Sequence, residues 1–83
     1  MASSDATTNL SATFARNLRA ARHAAGYTQT ELARVLGTGE MRVSDWERAK
    51  HRPNDEYLVL LSRALDRPVH WFFADRPDEG LVA

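Results

Sequence analysis

The chain has 83 residues, 43% of them hydrophobic, and contains no cysteine. This length suits one small domain, which helix packing must hold together because neither disulfides nor thiolate metal ligands are available. The formal net charge is zero, yet residues 1–52 carry eight Lys or Arg against five Asp or Glu, and residues 53–83 carry three against six. The first part of the chain is therefore the positive one, and a site for a polyanion is expected there.

The N-terminal segment carries no targeting pattern. Residues 1–10 are expected to form a disordered lead-in, since MASSDATTN has neither a basic residue nor an apolar core. No later segment is apolar enough to predict a membrane span. We therefore expect no membrane partner and a cytoplasmic location.

The first helix is predicted over residues 11–25. Its apolar residues recur at helical spacing, at Phe14, Leu18, Ala21 and Ala25. Gly26 follows them and is expected to end the helix.

A second helix is predicted to begin after Thr28. The Thr28 hydroxyl can cap this helix while Glu31 reaches back from three positions later, and Tyr27 and Leu32 provide the matching hydrophobic staple. Gly37 ends the helix, because glycine adopts the left-handed conformation without a steric penalty from Cβ. The next helix is then expected to start only a couple of residues later.

The third helix is predicted to start at Gly39 or Glu40 and to have two distinct faces. At about 100° per residue, the face that packs carries Val43, Trp46 and Glu47. The opposite face, which is free to contact another molecule, carries Met41, Asp45 and Arg48.

The remaining chain predicts two more helices and a tail. Residues 49–53 form a short basic loop, and Asn54 can cap a fourth helix with an apolar stripe at Leu58, Leu61 and Leu65. Pro68 suits the first turn of a short fifth helix that reaches Phe73. The predicted domain spans residues 11–74, and residues 75–83 are expected to form a frayed tail.

Several segments together resemble the Xre family of phage-repressor and Cro-like domains. They are LRAAR, GYTQTELA, the LG turn, VSDWER, the loop AKHRP and LSRALDRPVHWFF, within the stretch from Phe14 to Phe73. The resemblance implies an all-α, five-helix lambda-repressor-like DNA-binding domain, with its helix-turn-helix in helices two and three. It also implies a sequence-specific transcriptional regulator of double-stranded DNA, expected to be a homodimeric repressor that occludes a promoter at a palindromic operator.

The resemblance assigns candidate contacts to DNA. In the family, the first, second and sixth positions of the third helix touch base edges, and phosphates are bound at the start of helix two and in the loop after helix three. The candidate set here is Thr28, Gln29, Glu40, Met41, Arg42, Ser44, Asp45, Arg48, Lys50 and Arg52. Two carboxylates in this set face a polyanion, which is unfavourable unless each accepts a hydrogen bond from a cytosine amino group, so the preferred bases stay open.

Two further pairs of residues have expected roles. In the family an arginine and a glutamate bridge the first helix to the end of the third, which implies a structural ion pair between Arg22 and Glu47. Trp71 falls about 200° from Val69 on a helical wheel, so it is expected either to be exposed or to fold back over helix four or one. Because family dimers commonly use this region and an exposed tryptophan often marks a contact, Arg67 and Trp71 are the candidate dimer contacts.

Enzymatic function finds little support in the sequence. His23, His51 and His70 are isolated in spacing, and neither a phosphate loop nor a nucleophile elbow is present. We expect no catalytic residues, no metal, no cofactor and no small-molecule effector. The alternative function is a protein-interaction module or antitoxin-like partner that uses the acidic, aromatic C-terminal half.

Overall fold

The computed structural model describes residues 2–75, with side chains from residue 10 onwards. All regular structure in this part of the chain is helical, in the order α1 (Ala2–Ala24), α2 (Gln29–Leu36), α3 (Glu40–Glu47), α4 (Asp55–Leu65) and η1 (Val69–Phe73). The all-α class and the helix-turn-helix in the second and third helices are confirmed. The fifth element differs from the prediction, because it is a short 3-10 helix rather than an α-helix.

The first helix is longer than the sequence predicts. It begins at Ala2, so residues 2–10 are helical in the structure where a disordered lead-in was expected. Hydrophobic periodicity marks only the helical turns that pack against a core, and here it starts at Phe14, which is fully buried, whereas Leu10 is exposed. The predicted C-terminal tail lies outside the described residues except for Asp75.

Side chains cap the helix starts where the sequence places them. Thr28 Oγ1 accepts a hydrogen bond from the Glu31 amide at 3.0 Å, and Glu31 Oε1 accepts one from the Thr28 amide at 2.9 Å. This is the predicted capping box. Asn54 Oδ1 accepts from the Tyr57 amide at 2.9 Å and caps α4, while Gly39 precedes α3 without a side-chain cap.

Left-handed residues follow all four α-helices in the described part of the chain. They are Gly26, Gly37, Ala49 and Asp66. The two glycines were predicted to end their helices, and a glycine adopts this conformation without strain. After α3 the left-handed residue is Ala49 rather than a glycine. The Lys50 amide donates to the Asp45 carbonyl at 2.9 Å, the hydrogen bond that is typical of a Schellman turn.

One hydrophobic core joins all five helices. Its buried residues are Phe14, Leu18, Ala21, Leu32, Ala33, Leu36, Val43, Trp46, Leu61, Leu65, Trp71 and Phe72. α2 packs against α3, and the buried face of α2 includes Ala33, whose small side chain is compatible with a close crossing. The core therefore fixes α3 relative to α2, and leaves the opposite side of α3 at the surface.

Trp71 belongs to this core, so of the two alternatives expected for it, folding back over the domain is confirmed and exposure is wrong. Only 6% of its surface is exposed, and its ring lies edge-on to Phe72 with centroids 5.2 Å apart. Exposure of Trp71 would require the fifth helix to bury only one face. The short helix η1 instead packs against both α1 and α4, so adjacent residues on two sides of it are buried.

Asn17 ties α1 to the C-terminal end of η1. Its Nδ2 group donates to the carbonyl oxygens of Phe72 at 2.9 Å and Ala74 at 2.8 Å, with a longer contact to Trp71 at 3.3 Å. Asn17 is 2% exposed, and it satisfies carbonyl groups that a 3-10 helix of five residues leaves without partners. The apolar periodicity of α1 does not reveal this role.

Candidate nucleic-acid interface

The faces of α3 divide as the sequence predicted. The buried face consists of Val43, Trp46 and Glu47. The exposed or half-exposed face carries six of the candidate residues, Glu40, Met41, Arg42, Ser44, Asp45 and Arg48. Met41 projects furthest, with 70% of its surface exposed. A helix with this polar and accessible face can enter the major groove of B-DNA, which is about 12 Å wide.

A buried ion pair holds the C-terminal end of α3. Arg22 donates from Nε to Glu47 Oε2 at 2.6 Å and from Nη2 to Glu47 Oε1 at 3.0 Å. The two side chains are 9% and 2% exposed, so the ion pair expected from the resemblance is present and lies inside the domain. Gln29 Nε2 donates to the same Glu47 Oε1 at 3.1 Å. These contacts fix α3 against both α1 and the first turn of α2.

The carboxylates on the exposed face of α3 have polar neighbours. Thr30 Oγ1 donates to Glu40 Oε1 at 2.8 Å, which holds the Glu40 side chain towards α2. Asp45 Oδ1 lies 3.8 Å from Arg48 Nη2, one helical turn further along. The Arg48 guanidinium partly offsets the negative charge of Asp45, which reduces the expected repulsion from a polyanion.

Arg42 is positioned by the ring of Tyr57. Its guanidinium carbon lies 5.5 Å from the centroid of the Tyr57 ring, and Nη1 is 3.5 Å from the Tyr57 hydroxyl oxygen. The Tyr57 ring packs in turn against Trp46, with centroids 5.3 Å apart. Such cation–π stacking restricts the arginine to fewer rotamers and orients its donors. Tyr57 is thus a candidate positioning residue for the exposed face of α3.

An open cleft of about 620 Å³ brings this face together with the basic loop. Its lining includes Met41, Arg42 and Asp45 from α3, with His51 and Arg52 from the loop. A second open cleft of about 430 Å³ lies on the other side of the start of α3, and candidate residues Thr28, Gln29 and Glu40 line it. Seven of the ten candidate DNA contacts therefore border one of these two clefts, whereas Ser44, Arg48 and Lys50 border neither. Lys50 is exposed in the same loop.

Arg67 and Trp71 lie apart from this surface. Neither residue lines the two clefts, and the Arg67 guanidinium carbon stacks 5.1 Å from the centroid of the Trp71 ring. Arg67 is half-buried and Trp71 is buried. The pair therefore covers the core of a single chain, and the exposure on which the predicted dimer contact depended is not present.

Sequence reasoning missed Thr30, Tyr57 and Asn17. Thr30 and Tyr57 contact candidate residues that are ten and fifteen positions away in the chain, and a single sequence carries no signal for such contacts. Tyr57 directly precedes Leu58 of the apolar stripe of α4. An aromatic residue at such a position is usually interpreted as part of the core. Asn17 is a polar residue between apolar positions of α1, and that pattern alone does not show which groups it would bind.

The described residues contain neither a metal-binding cluster nor a helix that could span a membrane. Within residues 10–75 no group of three His, Asp or Glu side chains could hold a metal ion. No helix in residues 2–75 is long and apolar enough to cross a membrane.

Comparison with known proteins agrees with this geometry. The family described as helix-turn-helix matches residues 18–72, which include α2, α3 and α4 in full, the last part of α1 and all of η1 except Phe73. No curated protein matches the sequence. Among solved structures, the crystal structure of the hypothetical transcription factor NHTF from Neisseria superposes with a TM-score of 0.78 at 26% sequence identity. The match covers 89% of this chain and 85% of that one.

Proposed function

The chain belongs to the helix-turn-helix family and is a DNA-binding transcriptional regulator, and we propose that it is a homodimeric repressor that covers a promoter at an inverted-repeat operator. One observation carries the proposal. The exposed face of α3 and the basic loop that follows it border the same cleft, so one surface offers both base-reading and phosphate-binding groups. The similarity to a hypothetical transcription factor from Neisseria supports a role in transcription.

We assign the reading of bases to the exposed residues of α3. Arg42 is the strongest candidate, because it is exposed, oriented by Tyr57 and able to donate two hydrogen bonds to a guanine edge. Met41 offers an apolar surface for a thymine methyl group, and Ser44 and Asp45 offer a hydroxyl and a carboxylate acceptor. Glu40 uses Oε1 to accept from Thr30, and its Oε2 remains an acceptor for a cytosine amino group.

We assign phosphate binding to the groups around the ends of α2 and α3. Arg48, Lys50 and Arg52 are exposed cations beyond the base-reading positions. At the start of α2, the backbone amides and the helix dipole favour an anion. Gln29 uses one N–H of its side-chain amide to hold Glu47, and its second N–H remains a donor for a phosphate oxygen beside Thr28.

Repression by occlusion requires only that the protein binds DNA over the promoter, without a contact to RNA polymerase or a second domain. A two-fold dimer would place its two α3 helices about 34 Å apart, one turn of DNA, and would therefore select half-sites in inverted orientation. Such a dimer would exclude RNA polymerase from an overlapping promoter. The direction of regulation thus follows from the position of the operator.

Fluorescence anisotropy with DNA from the upstream promoter region tests the proposal. Affinity should fall steeply as salt rises, because each phosphate contact releases counterions. Footprinting should then show two protected half-sites related by a dyad, and transcription from the promoter in vitro should decrease as protein is added. Absent or salt-insensitive binding would favour the protein-interaction module instead.

Matched arginine and lysine variants localise the binding surface. Lys50→Ala and Arg52→Ala should each weaken binding on all sequences and reduce the slope of log affinity against log salt by about one. Arg42→Ala should weaken binding to the operator more than to unrelated DNA. Arg34→Ala, an exposed arginine of α2 outside both clefts, is the control and should leave binding unchanged.

A further inference from the structure

An exposed stripe runs along α4 on the side away from the core. It consists of Glu56, Val59, Leu60 and Arg63, and all four residues are exposed. At 100° per residue they fall within about 100° of one another, opposite the buried Leu61 and Leu65. Val59 and Leu60 are 44% and 39% exposed, and among residues 10–75 they form the only sequence-adjacent pair of exposed large apolar residues.

The order of residues in this α4 stripe is self-complementary. An acidic residue, two apolar residues and a basic residue follow one another, and the midpoint between Glu56 and Arg63 is also the midpoint between Val59 and Leu60. A two-fold axis through that midpoint maps each residue onto the same residue of the second copy, and it places Glu56 of one copy at the level of Arg63 of the other. Two antiparallel copies of α4 would then place opposite charges at both ends, about 10 Å apart along the helix, and apolar side chains between them.

Two properties of the surroundings fit a second copy of α4. Neither Glu56 nor Arg63 has an ionic partner among the described residues, so both are available to another chain. Beside the apolar pair lies an open cleft of about 500 Å³, bordered by Leu36, Tyr57, Val59 and Leu60 with Glu56. Such a cleft accommodates a large apolar side chain from the opposing helix.

We propose that the α4 stripe is the surface on which a second copy of this chain docks in antiparallel orientation, with Glu56 of each copy beside Arg63 of the other. This assignment rests on the proposed homodimer and replaces the contact predicted at Arg67 and Trp71, which are partly or fully buried. A like-charged surface would not pair with itself in this way, whereas the α4 stripe attracts its own copy at both ends.

Charge reversal tests the docking. Sedimentation equilibrium should show the wild-type chain as a dimer at micromolar concentration. Glu56→Arg and Arg63→Glu should each weaken dimerisation by at least about tenfold, because each creates two repulsive contacts per dimer. The double variant carrying both changes should restore dimerisation towards the wild-type value. A wild-type monomer, single variants that dimerise normally, or a double variant that stays monomeric would overturn the proposal.

Disulfide trapping provides a second measurement that does not depend on the charge variants. The chain has no cysteine, and residue 60 lies beside the dyad, so residue 60 of one copy is close to residue 60 of the other, offset by about 1.5 Å along the helix. Leu60→Cys should therefore form a covalent dimer under mild oxidation. Val35→Cys, at an apolar residue of α2 that is 54% exposed, is the control and should not. Equal trapping at both positions would contradict the docking.

DNA binding separates this inference from the proposed function. Val59→Asn should reduce dimerisation and weaken binding to a full operator, while binding to a single half-site is retained. A wild-type dimer that is sensitive to the charge reversals but binds no DNA would refute the repressor and leave the docking surface supported. A wild-type monomer that binds DNA would refute the docking surface and leave DNA binding supported.

Discussion

Arg22 and Glu47 form a two-point ion pair that joins α1 to the last residue of α3, with Nε–Oε2 and Nη2–Oε1 distances of 2.6 and 3.0 Å. Arg22 also donates from Nη1 to the carbonyl of Tyr27 at 2.9 Å, just before the cap of α2. A single guanidinium therefore fixes the relative positions of the helices that form the DNA-binding motif. Its role is structural, and it lies behind the exposed face of α3 rather than on it.

Replacing Arg22 by methionine should destabilise the domain by about 3–5 kcal/mol, because Glu47 would remain buried without its partner. Urea unfolding, followed by the fluorescence of the two tryptophans, measures this change. Combining Arg22→Met with Glu47→Leu should recover part of the loss, since the uncompensated charge is then absent. DNA affinity should fall in proportion to the unfolded fraction.

Arg16 provides the control for the Arg22 experiment. It also forms an ion pair, with Asp75 at 3.3 Å, but the two side chains are 52% and 83% exposed. Arg16→Ala should change stability by less than about 1 kcal/mol. An Arg22→Met protein with the wild-type melting temperature and no DNA affinity would contradict the structural role.

Asn17 should stabilise the packing of η1 against α1, and its replacement should lower the free energy of unfolding. Asn17→Ala removes the donor to the Phe72 and Ala74 carbonyls, and a loss of about 1–3 kcal/mol is expected for buried groups left without partners. Asn17→Asp has the same shape but places an acceptor against those carbonyls, so it should be the more destabilising change at neutral pH. Thermal unfolding by circular dichroism gives the order. An aspartate variant as stable as the wild type would show that Nδ2 donation is unimportant.

Features that depend on neighbouring residues could be predicted from the sequence. The capping box at Thr28 and the stop at Gly37 need only a few residues of context, and the two faces of α3 follow from helical periodicity. Contacts between distant segments could not be predicted in this way. The burial of Trp71 depends on η1 lying between α1 and α4, and the stacking of Arg42 on Tyr57 depends on how α3 meets α4.

Tyr57 should affect DNA binding through Arg42. Tyr57→Ala removes the ring that orients the guanidinium and should weaken operator binding about threefold to tenfold, the range expected for one partly exposed cation–π contact. Tyr57→Phe keeps the ring, so its affinity should remain close to that of the wild type. Anisotropy measurements at one salt concentration give these values.

A double-mutant cycle distinguishes positioning from general destabilisation. If Tyr57 acts through Arg42, then Tyr57→Ala should have little further effect on operator affinity in an Arg42→Ala background. Melting temperatures of all four proteins are measured alongside. Fully additive losses would indicate that Tyr57 acts independently of Arg42, for example through its packing on Trp46.

Ala49 closes the C-terminal turn of α3 with a φ of 60°, a conformation that is unfavourable for alanine by about 1–2 kcal/mol. Ala49→Gly should relieve this strain and raise the melting temperature, although the greater freedom of glycine in the unfolded chain offsets part of the gain, leaving about 0.5–1 kcal/mol. Ala20→Gly, at an exposed position inside α1, should instead lose about 1 kcal/mol. Because the loop carries Lys50 and Arg52, DNA affinity is measured as well. If Ala49→Gly lowers the melting temperature as much as Ala20→Gly does, the left-handed turn is not the conformation that this loop adopts in solution.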